Sequence, residues 1–521
     1  MCSENFYSGI HLAHKFLIHI ILHLMFLAPL AAWAQSKGYY DTLTLAKQMM
    51  DVKKIREANS ILEACERAHP NKVDVIRLRG QALYWSKDFD AALRYFRTAI
   101  KNNPNADVLK MDFGRILFEM NLLDEAGRVV TDYHKSAPDD VEAEIILGTI
   151  AYWQGKRPKK ALRYLCAVLL KYPANRRTVE LVDEIRQATS PYIKISPVYN
   201  ADSQPLQVLN LVADAGFYQS SLLQPNLQVQ KRALSFGSVS HHAESFQLGN
   251  KISLLKMNTV AIAKAGVFKT SWTNGVSLTG ALEFNQKLSK AITLSGSIDR
   301  SPYFYTVRSL STRVVQTNYT VFLGREVINS WNGKAAYNVQ QFNDHNLVKS
   351  FSVWFLLPVV KSPSFKVDLG YAFYFADAKS NAYVNDKSLN EITSLYYPGY
   401  TITGVYDPYF TPQNQQIHSV LGNLTFLPAR SLKFSLKSNT GLYAVMDNPY
   451  FFLNYDKGHQ LALYKGYHPL KYFPLEIRTA IGWTLSKKIV LEGEYIYRKT
   501  IFFNSNSVSA GLKINFWNDK K

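Results

Sequence analysis

Glu492 and Glu494 stand two residues apart in an alternating stretch, so an extended chain aims both carboxylates at one face. Two carboxylates on one face can divide proton donation from nucleophilic assistance, as glycoside hydrolysis requires. Arg478, Arg498 and Lys513 fall on the matching faces of neighbouring stretches, together with Glu476, and a charge-balanced wall is the simpler reading. His241 and His242 form a lone pair in an expected loop and read as solvated residues rather than as a metal site. No phosphate-binding loop, dinucleotide fingerprint, H-E-x-x-H, C-x-x-C or nucleophile elbow occurs. The chain is therefore expected to be no enzyme and to need no cofactor or metal. What remains is recognition by aromatic rings, which stack on sugars or peptides. The candidates are Tyr84, Trp85, Phe118, Tyr152 and Trp153 in the first part of the chain, with Tyr409 and Phe410 as a sugar platform in the second.

The first set keeps a beat. Pro70, Pro104 and Pro138 are 34 residues apart and Pro173 follows after 35. Ala46, Gly80, Gly114 and Gly148 recur at the same interval, as do Ala58, Ala92 and Ala126, with Ala161 displaced by the extra residue. Each unit reads as two helices, small where they approach and closed by proline. This resembles the tetratricopeptide repeat, most closely over 73–107, where Gly80, Ala92, Phe96, Ala99 and Pro104 hold the family's offsets and Ile76 replaces its usual tryptophan. The resemblance implies an α-solenoid of about four units over 39–188, ended by a capping helix at 175–188, with a groove lined by the first helices. It puts Tyr84, Phe118 and Tyr152 on the concave side, where they either stack on a partner or pack between repeats. Cys65 takes a small core position, and Cys166 lies too far along the array to reach it.

From Ser190-Pro191 the period becomes two. Leu475, Ile477, Thr479, Ile481 and Trp483 share one face and Glu476, Arg478, Ala480 and Gly482 the other. Stretches within 276–284, 292–298, 367–375, 432–436, 489–498 and 507–516 behave alike. A soluble sandwich also alternates, but long succession, absence of cysteine after Cys166 and the closing Phe516-Trp517 favour a membrane barrel. At about 20 residues per strand and connection, 191–521 holds about 16 strands, within 14 to 18, enough to leave a lumen. Segments 376–396 and 446–459 are expected as extracellular loops or a plug. The expected fold is α + β and multidomain: an N-terminal solenoid, then a C-terminal transmembrane antiparallel β-barrel of about 16 strands at 191–521.

Residues 1–34 read as an export signal, with Lys15, an apolar run and Ala32-Trp33-Ala34 before the cut. Of 60 Lys and Arg against 40 Asp and Glu, 27 and 22 lie before residue 191, leaving 33 and 18, a net charge of +15, in the second part. Cations scattered along strands of an exported chain argue against nucleic acid and for anions or outer-leaflet phosphates as neighbours.

Two motifs add a resemblance. Asp299-Arg300-Ser301-Pro302 followed by Ser309-Leu310, and Tyr409-Phe410-Thr411-Pro412-Gln413, look like elements of the outer-membrane exopolysaccharide secretion proteins of the cellulose synthase operon protein C type. The resemblance covers about 191–521; the family's repeat arrays are longer than the four units here. It implies a porin-like conduit in the bacterial outer membrane that passes a polysaccharide or similar polymer, with periplasmic repeats docking the polymer or a synthase-associated protein. Glu476, Arg478, Glu492, Glu494, Arg498 and Lys513 would line its lumen. The alternative is a plugged barrel that anchors the repeats as a scaffold for envelope-assembly proteins.

Overall fold

The computed structural model describes residues 38–517 apart from 155–156 and 255–256, so the expected export signal and Cys2 lie outside the described residues. The chain divides into two compact units that meet in sequence between Val182 and Asp183.

In the first unit, helices α1 (Tyr39–Asp51), α2 (Ile55–Ala68), α3 (Val73–Trp85), α4 (Phe89–Asn102), α5 (Asp107–Glu119), α6 (Leu123–Ser136), α7 (Val141–Trp153) and α8 (Pro158–Lys171) form four antiparallel pairs. Helix α9 (Arg176–Thr189) follows them. The recurring glycine works by close approach. A Cβ on Gly80 would meet the Phe96 ring at 2.4 Å, one on Gly114 the Val130 Cγ2 at 2.3 Å, and one on Gly148 the Leu165 Cγ at 2.7 Å. The small residue of each first helix is thus the hole for an apolar knob from the second. Left-handed Lys53, Lys87 and Asn121, again 34 apart, stop the first helices and turn the chain into the second. Asp88 and Asp140 cap α4 and α7 by accepting from the amides of Ala91 and Ala143.

Adjacent repeats are joined by charge as well as by packing. Asp112, 2% exposed, accepts from Arg77 Nε at 2.6 Å and pairs with Arg115 at 3.0 Å, while Arg115 Nε reaches Glu142 at 2.5 Å. A buried carboxylate persists here because two guanidiniums neutralise it.

In the second unit the strands are β1 (Tyr192–Asp202), β2 (Gln207–Gly216), β3 (Gln224–Phe236), β4 (Val239–Leu254), β5 (Thr259–Thr270), β6 (Thr273–Lys287), β7 (Ile292–Pro302), β8 (Val315–Arg325), β9 (Asn332–Phe342), β10 (Leu347–Lys361) and β11 (Phe365–Ala378). After the short β12 (Tyr383–Val384), β13 (Thr401–Ile402) and β14 (Val405–Tyr406) come β15 (Gln415–Ala429), β16 (Leu432–Tyr455), β17 (Leu461–Tyr472), β18 (Leu475–Thr484), β19 (Ile489–Lys499) and β20 (Asn504–Asn515). Each long strand pairs antiparallel with its neighbour in the ring, and β1 pairs with both β2 and β20. The ring closes on sixteen strands, β1 to β11, β15, β16, β18, β19 and β20, and closure leaves no unpaired edge in the wall.

Alternation sets the two faces. Ile193, Ile195, Leu209, Leu211, Leu278, Val321, Leu323, Phe351, Phe355, Leu369 and Leu512 are exposed on the outside. In water such a belt would drive aggregation; a bilayer covers it. No helix among the described residues is long and apolar enough to cross a membrane.

Two expected loops carry secondary structure of their own. Segment 446–459 is mostly strand: β16 runs on past its pairing with β18 and pairs instead with β17, from Ala444 opposite Tyr472 to Tyr455 opposite Leu461, as a long hairpin beyond the wall. Segment 376–396 begins as the end of β11 and then carries β12 and helix α10 (Leu389–Leu395). His241 and His242 also lie in a strand, β4, with the His241 ring 5.0 Å from Trp272.

Candidate functional site

An even number of strands returns both barrel termini to one rim. There Tyr192 of β1 sits opposite Asn515 of β20. The connections at this proximal rim are short: 217–223, 255–258, 288–291, 326–331, 362–364, 430–431 and 485–488. The distal rim carries 303–314, 379–414 and the β16–β17 hairpin, the long excursions of the unit.

Connection 379–414 crosses the mouth. On one side Thr306 Oγ1 donates to the Pro408 carbonyl at 2.6 Å, and Arg308 reaches Asp386 at 3.6 Å and Asp407 at 3.9 Å, all ties to the β7–β8 connection. On the other side Tyr406 and Phe410 meet Phe502 of the β19–β20 connection at 5.4 and 5.1 Å. Eight strands lie between those two connections in either direction: β8 to β11, β15, β16, β18 and β19 one way, β20 and β1 to β7 the other. The strands that bear them are diametrically opposed, and residues 406–410 touch both, so the three connections meet over the mouth of the lumen. Sixteen strands about 4.8 Å apart and tilted about 40° make the ring about 32 Å across between backbones.

Tyr409 latches the crossing. It is 1% exposed, its ring lies flat on Phe342 at 3.5 Å, and its hydroxyl donates to Asp344. This corrects the expectation of a sugar platform at Tyr409: a ring 1% exposed, stacked on Phe342 and with Tyr303 edge-on at 6.2 Å, has no surface to offer. Phe410 points the other way and lines a cavity of about 720 Å³ at the distal mouth, with Tyr305, Tyr406, Tyr472 and Phe502.

The lumen wall is polar. Asn210, Gln228, Gln230, Gln247, Asn285, Ser297, Gln316, Thr320, Asn338 and Gln340 alternate with the outer apolar belt, and their register carries them around the inner face. Many bond one another, as Gln340 to Gln316 at 2.5 Å, Asn338 to Thr320 at 2.8 Å and Gln247 to Thr279 at 2.9 Å. Glu476, Arg478, Glu492, Glu494, Arg498 and Lys513 all face inward on β18, β19 and β20. Glu476 holds Arg498 at 2.6 Å and Arg478 at 3.3 Å, and Arg478 reaches Glu494 at 3.4 Å. Glu492 pairs with Lys194 at 2.5 Å, and Lys513 stands 4.8 Å from the Tyr192 ring centre. Glu492 and Glu494 are thus each tied to a cation.

The repeat rings divide. Phe118 stacks on Trp153 of the next repeat at 5.8 Å, while Tyr84 packs on Phe89 and its hydroxyl bonds Glu119. Tyr152 is half-buried, and Trp85 and Trp153 keep about half their surface open. Position 34 apart therefore puts these residues in like places without forming one continuous ladder. The periodicity gave no sign of the Arg77–Asp112–Arg115–Glu142 chain along α3, α5 and α7, because its members do not repeat at a single offset.

Residues 83–147 match the tetratricopeptide repeat family model. The helical unit thus carries tetratricopeptide repeats, and the second unit is a closed antiparallel β-barrel of sixteen strands. Among solved structures it is similar to a bacterial polysaccharide outer membrane secretin, with 10% identity over 63% of this chain and 99% of the other, and a TM-score of 0.46. It is also similar to MamA from Desulfovibrio magneticus RS-1, at 19% identity over 28% of this chain and 83% of that one with a TM-score of 0.26. PilF of Pseudomonas aeruginosa aligns at 15% identity over 28% and 67% of the two chains, with a TM-score of 0.27. No curated protein matches the sequence.

Proposed function

We propose that the chain is a bacterial outer-membrane conduit through which a polysaccharide or similar neutral polymer leaves the cell. The observation that carries this reading is the inner wall of amides and hydroxyls, whose weak and interchangeable hydrogen bonds suit a polyhydroxylated chain that must bind everywhere and stop nowhere. The inward charges support it: Glu476, Arg478, Glu494 and Arg498 pair among themselves and Glu492 pairs with Lys194, and together with Lys513 they keep the wall hydrated. Short turns at the rim where the chain enters resemble the periplasmic side of such barrels and support a periplasmic location for the repeats. There Trp85 and Trp153, with Tyr84, Phe118 and Tyr152 behind them, offer a dock for the polymer or a synthase-associated protein. No step requires an active centre or a cofactor.

Connection 379–414 favours a second reading, a plugged barrel that only anchors the repeats as a scaffold. Single-channel conductance of the full chain in planar bilayers separates the two. A conduit with a movable crossing shows rare openings natively and steady large steps when 379–414 is replaced by a short turn, and neutral oligosaccharides block those steps. A barrel still sealed after that replacement would leave the scaffold.

A further inference from the structure

The β16–β17 hairpin stands beyond the wall at the distal rim, and its two faces differ. One carries Phe451 and Leu453, buried against Tyr383, Ile392 and Ile402 of connection 379–414. The other carries Tyr450 and Phe452 on β16 with Tyr464 and His468 on β17. Their rings form an unbroken chain: Tyr464 to Phe452 at 5.7 Å, Phe452 to Tyr450 at 5.8 Å and Tyr450 to His468 at 5.5 Å. The first two pairs are inclined by only 26° and 36°, so these three rings lie close to parallel.

Gly466, opposite Tyr450, gives that ring room to lie flat. A Cβ there would meet Tyr450 Cζ at 2.6 Å and its hydroxyl oxygen at 2.8 Å, so the ring rests on the glycine backbone with its other side turned away from the sheet. Tyr464 is 38% exposed and His468 is exposed beside it, while Tyr450 and Phe452 are half-buried.

This face continues the inner wall. Ile417, which lines the mouth cavity, sits opposite Ala444, and alternation carries the same face from Ala444 through Met446 and Asn448 to Tyr450 and Phe452. Asn448 lines that cavity too, with Leu470 and Tyr472, the β17 partners of Met446 and Ala444. A chain that follows the polar wall past the mouth therefore comes next to the rings. The exposed Phe434, Leu436 and Tyr443 of β16 stand on the opposite face, so the strip is separate from the belt that a bilayer would cover. Flat rings in series, with Asn448 and Asn454 on the same face, suit successive pyranoses, whose C–H faces stack on aromatic rings while their hydroxyls bond amides or water.

We propose that Tyr450, Phe452, Tyr464 and His468 form an exit platform that binds the pyranose rings of the emerging polysaccharide. The proposal rests on the conduit reading and adds to it a place where the cargo is held once it has left the mouth.

Calorimetric titration of the detergent-solubilised full chain with three neutral hexamers, cellohexaose, chitohexaose and maltohexaose, tests it. At least one is expected to bind, and Tyr464→Ala, which removes an exposed ring from the strip, should weaken that binding about fivefold, the worth of one stacked ring. Tyr464→Phe keeps the ring and should bind as the native chain does. The single-channel step in planar bilayers should be the same for Tyr464→Ala and the native chain, because the ring stands outside the wall. Binding of none of the three hexamers, or binding that Tyr464→Ala leaves unchanged, overturns the platform and leaves the conduit standing. Binding that depends on Tyr464 in a barrel still sealed after 379–414 is replaced overturns the conduit, and with it the exit role, while the sugar site stands.

Discussion

Replacing Tyr409 with alanine should free the connection that lies over the mouth of the lumen. The Tyr409 side chain is 1% exposed, lies flat on Phe342 and donates to Asp344, so it is withdrawn from its site only when the connection lifts. Truncating a buried aromatic of this size costs about 3–5 kcal/mol, and each 1.4 kcal/mol is about tenfold in an equilibrium. The closed-to-open ratio should therefore fall between about a hundredfold and a few thousandfold. Another tie on that side is weaker: Arg308 is about half exposed and its two carboxylates lie at 3.6 and 3.9 Å, so Arg308→Ala should shift the ratio no more than about fivefold, the ceiling for an exposed pair. Open probability of the full chain in planar bilayers reads both variants. If Tyr409→Ala leaves open probability unchanged, or if Arg308→Ala opens the pore as far, the crossing is not latched by this ring and the reasoning fails.

Three further outcomes follow from the two units. Gly114→Ala drives a Cβ to 2.3 Å from Val130 Cγ2 and should cost about 1–3 kcal/mol of repeat stability, which Val130→Ala in the same chain should largely restore; the melting of the helical circular dichroism signal checks it. Burial raises the pKa of the Glu144 carboxyl above its ordinary 4.5, and Glu144 Oε2 lacks a partner among the described residues. The folded repeats then hold that proton more tightly than the unfolded chain, so ionisation opposes folding above the raised value and not below 4.5. Glu144→Gln should raise the melting temperature at pH 7, and the gain should vanish as pH falls below 4.5; a gain independent of pH would show that charge is not the cause. Glu476→Gln removes the carboxylate shared by Arg478 and Arg498, and the reversal potential in a salt gradient should move toward anions while thermal stability changes by less than about 1 kcal/mol, since all three side chains are a third or more exposed.

The repeat and the barrel were legible because both are periodic. A 34-residue beat places glycine opposite Phe96, Val130 and Leu165 in turn, and a two-residue beat sends Glu476 and Arg478 inward while Ile477 and Ile481 face out. Such patterns are local, since backbone geometry alone decides which residues share a face. The excursion at 446–459 was legible but its hairpin was not: its alternation continues β16, and nothing local says that its partner changes from β18 to β17 partway along.

By itself, the amino-acid sequence determined the two element types, the order of the units, the inward face of the charged strands and the absence of any familiar catalytic motif, because each depends on residue type and spacing within one element. Only the tertiary structure decided that the ring closes on sixteen strands, that 379–414 bridges connections on opposite sides of it, and that neighbouring Tyr409 and Phe410 part, one sealed against Phe342 and the other lining the cavity. Those outcomes depend on contacts between residues distant in sequence, such as Thr306 with Pro408 and Phe410 with Phe502, and long-range partners leave no period to read.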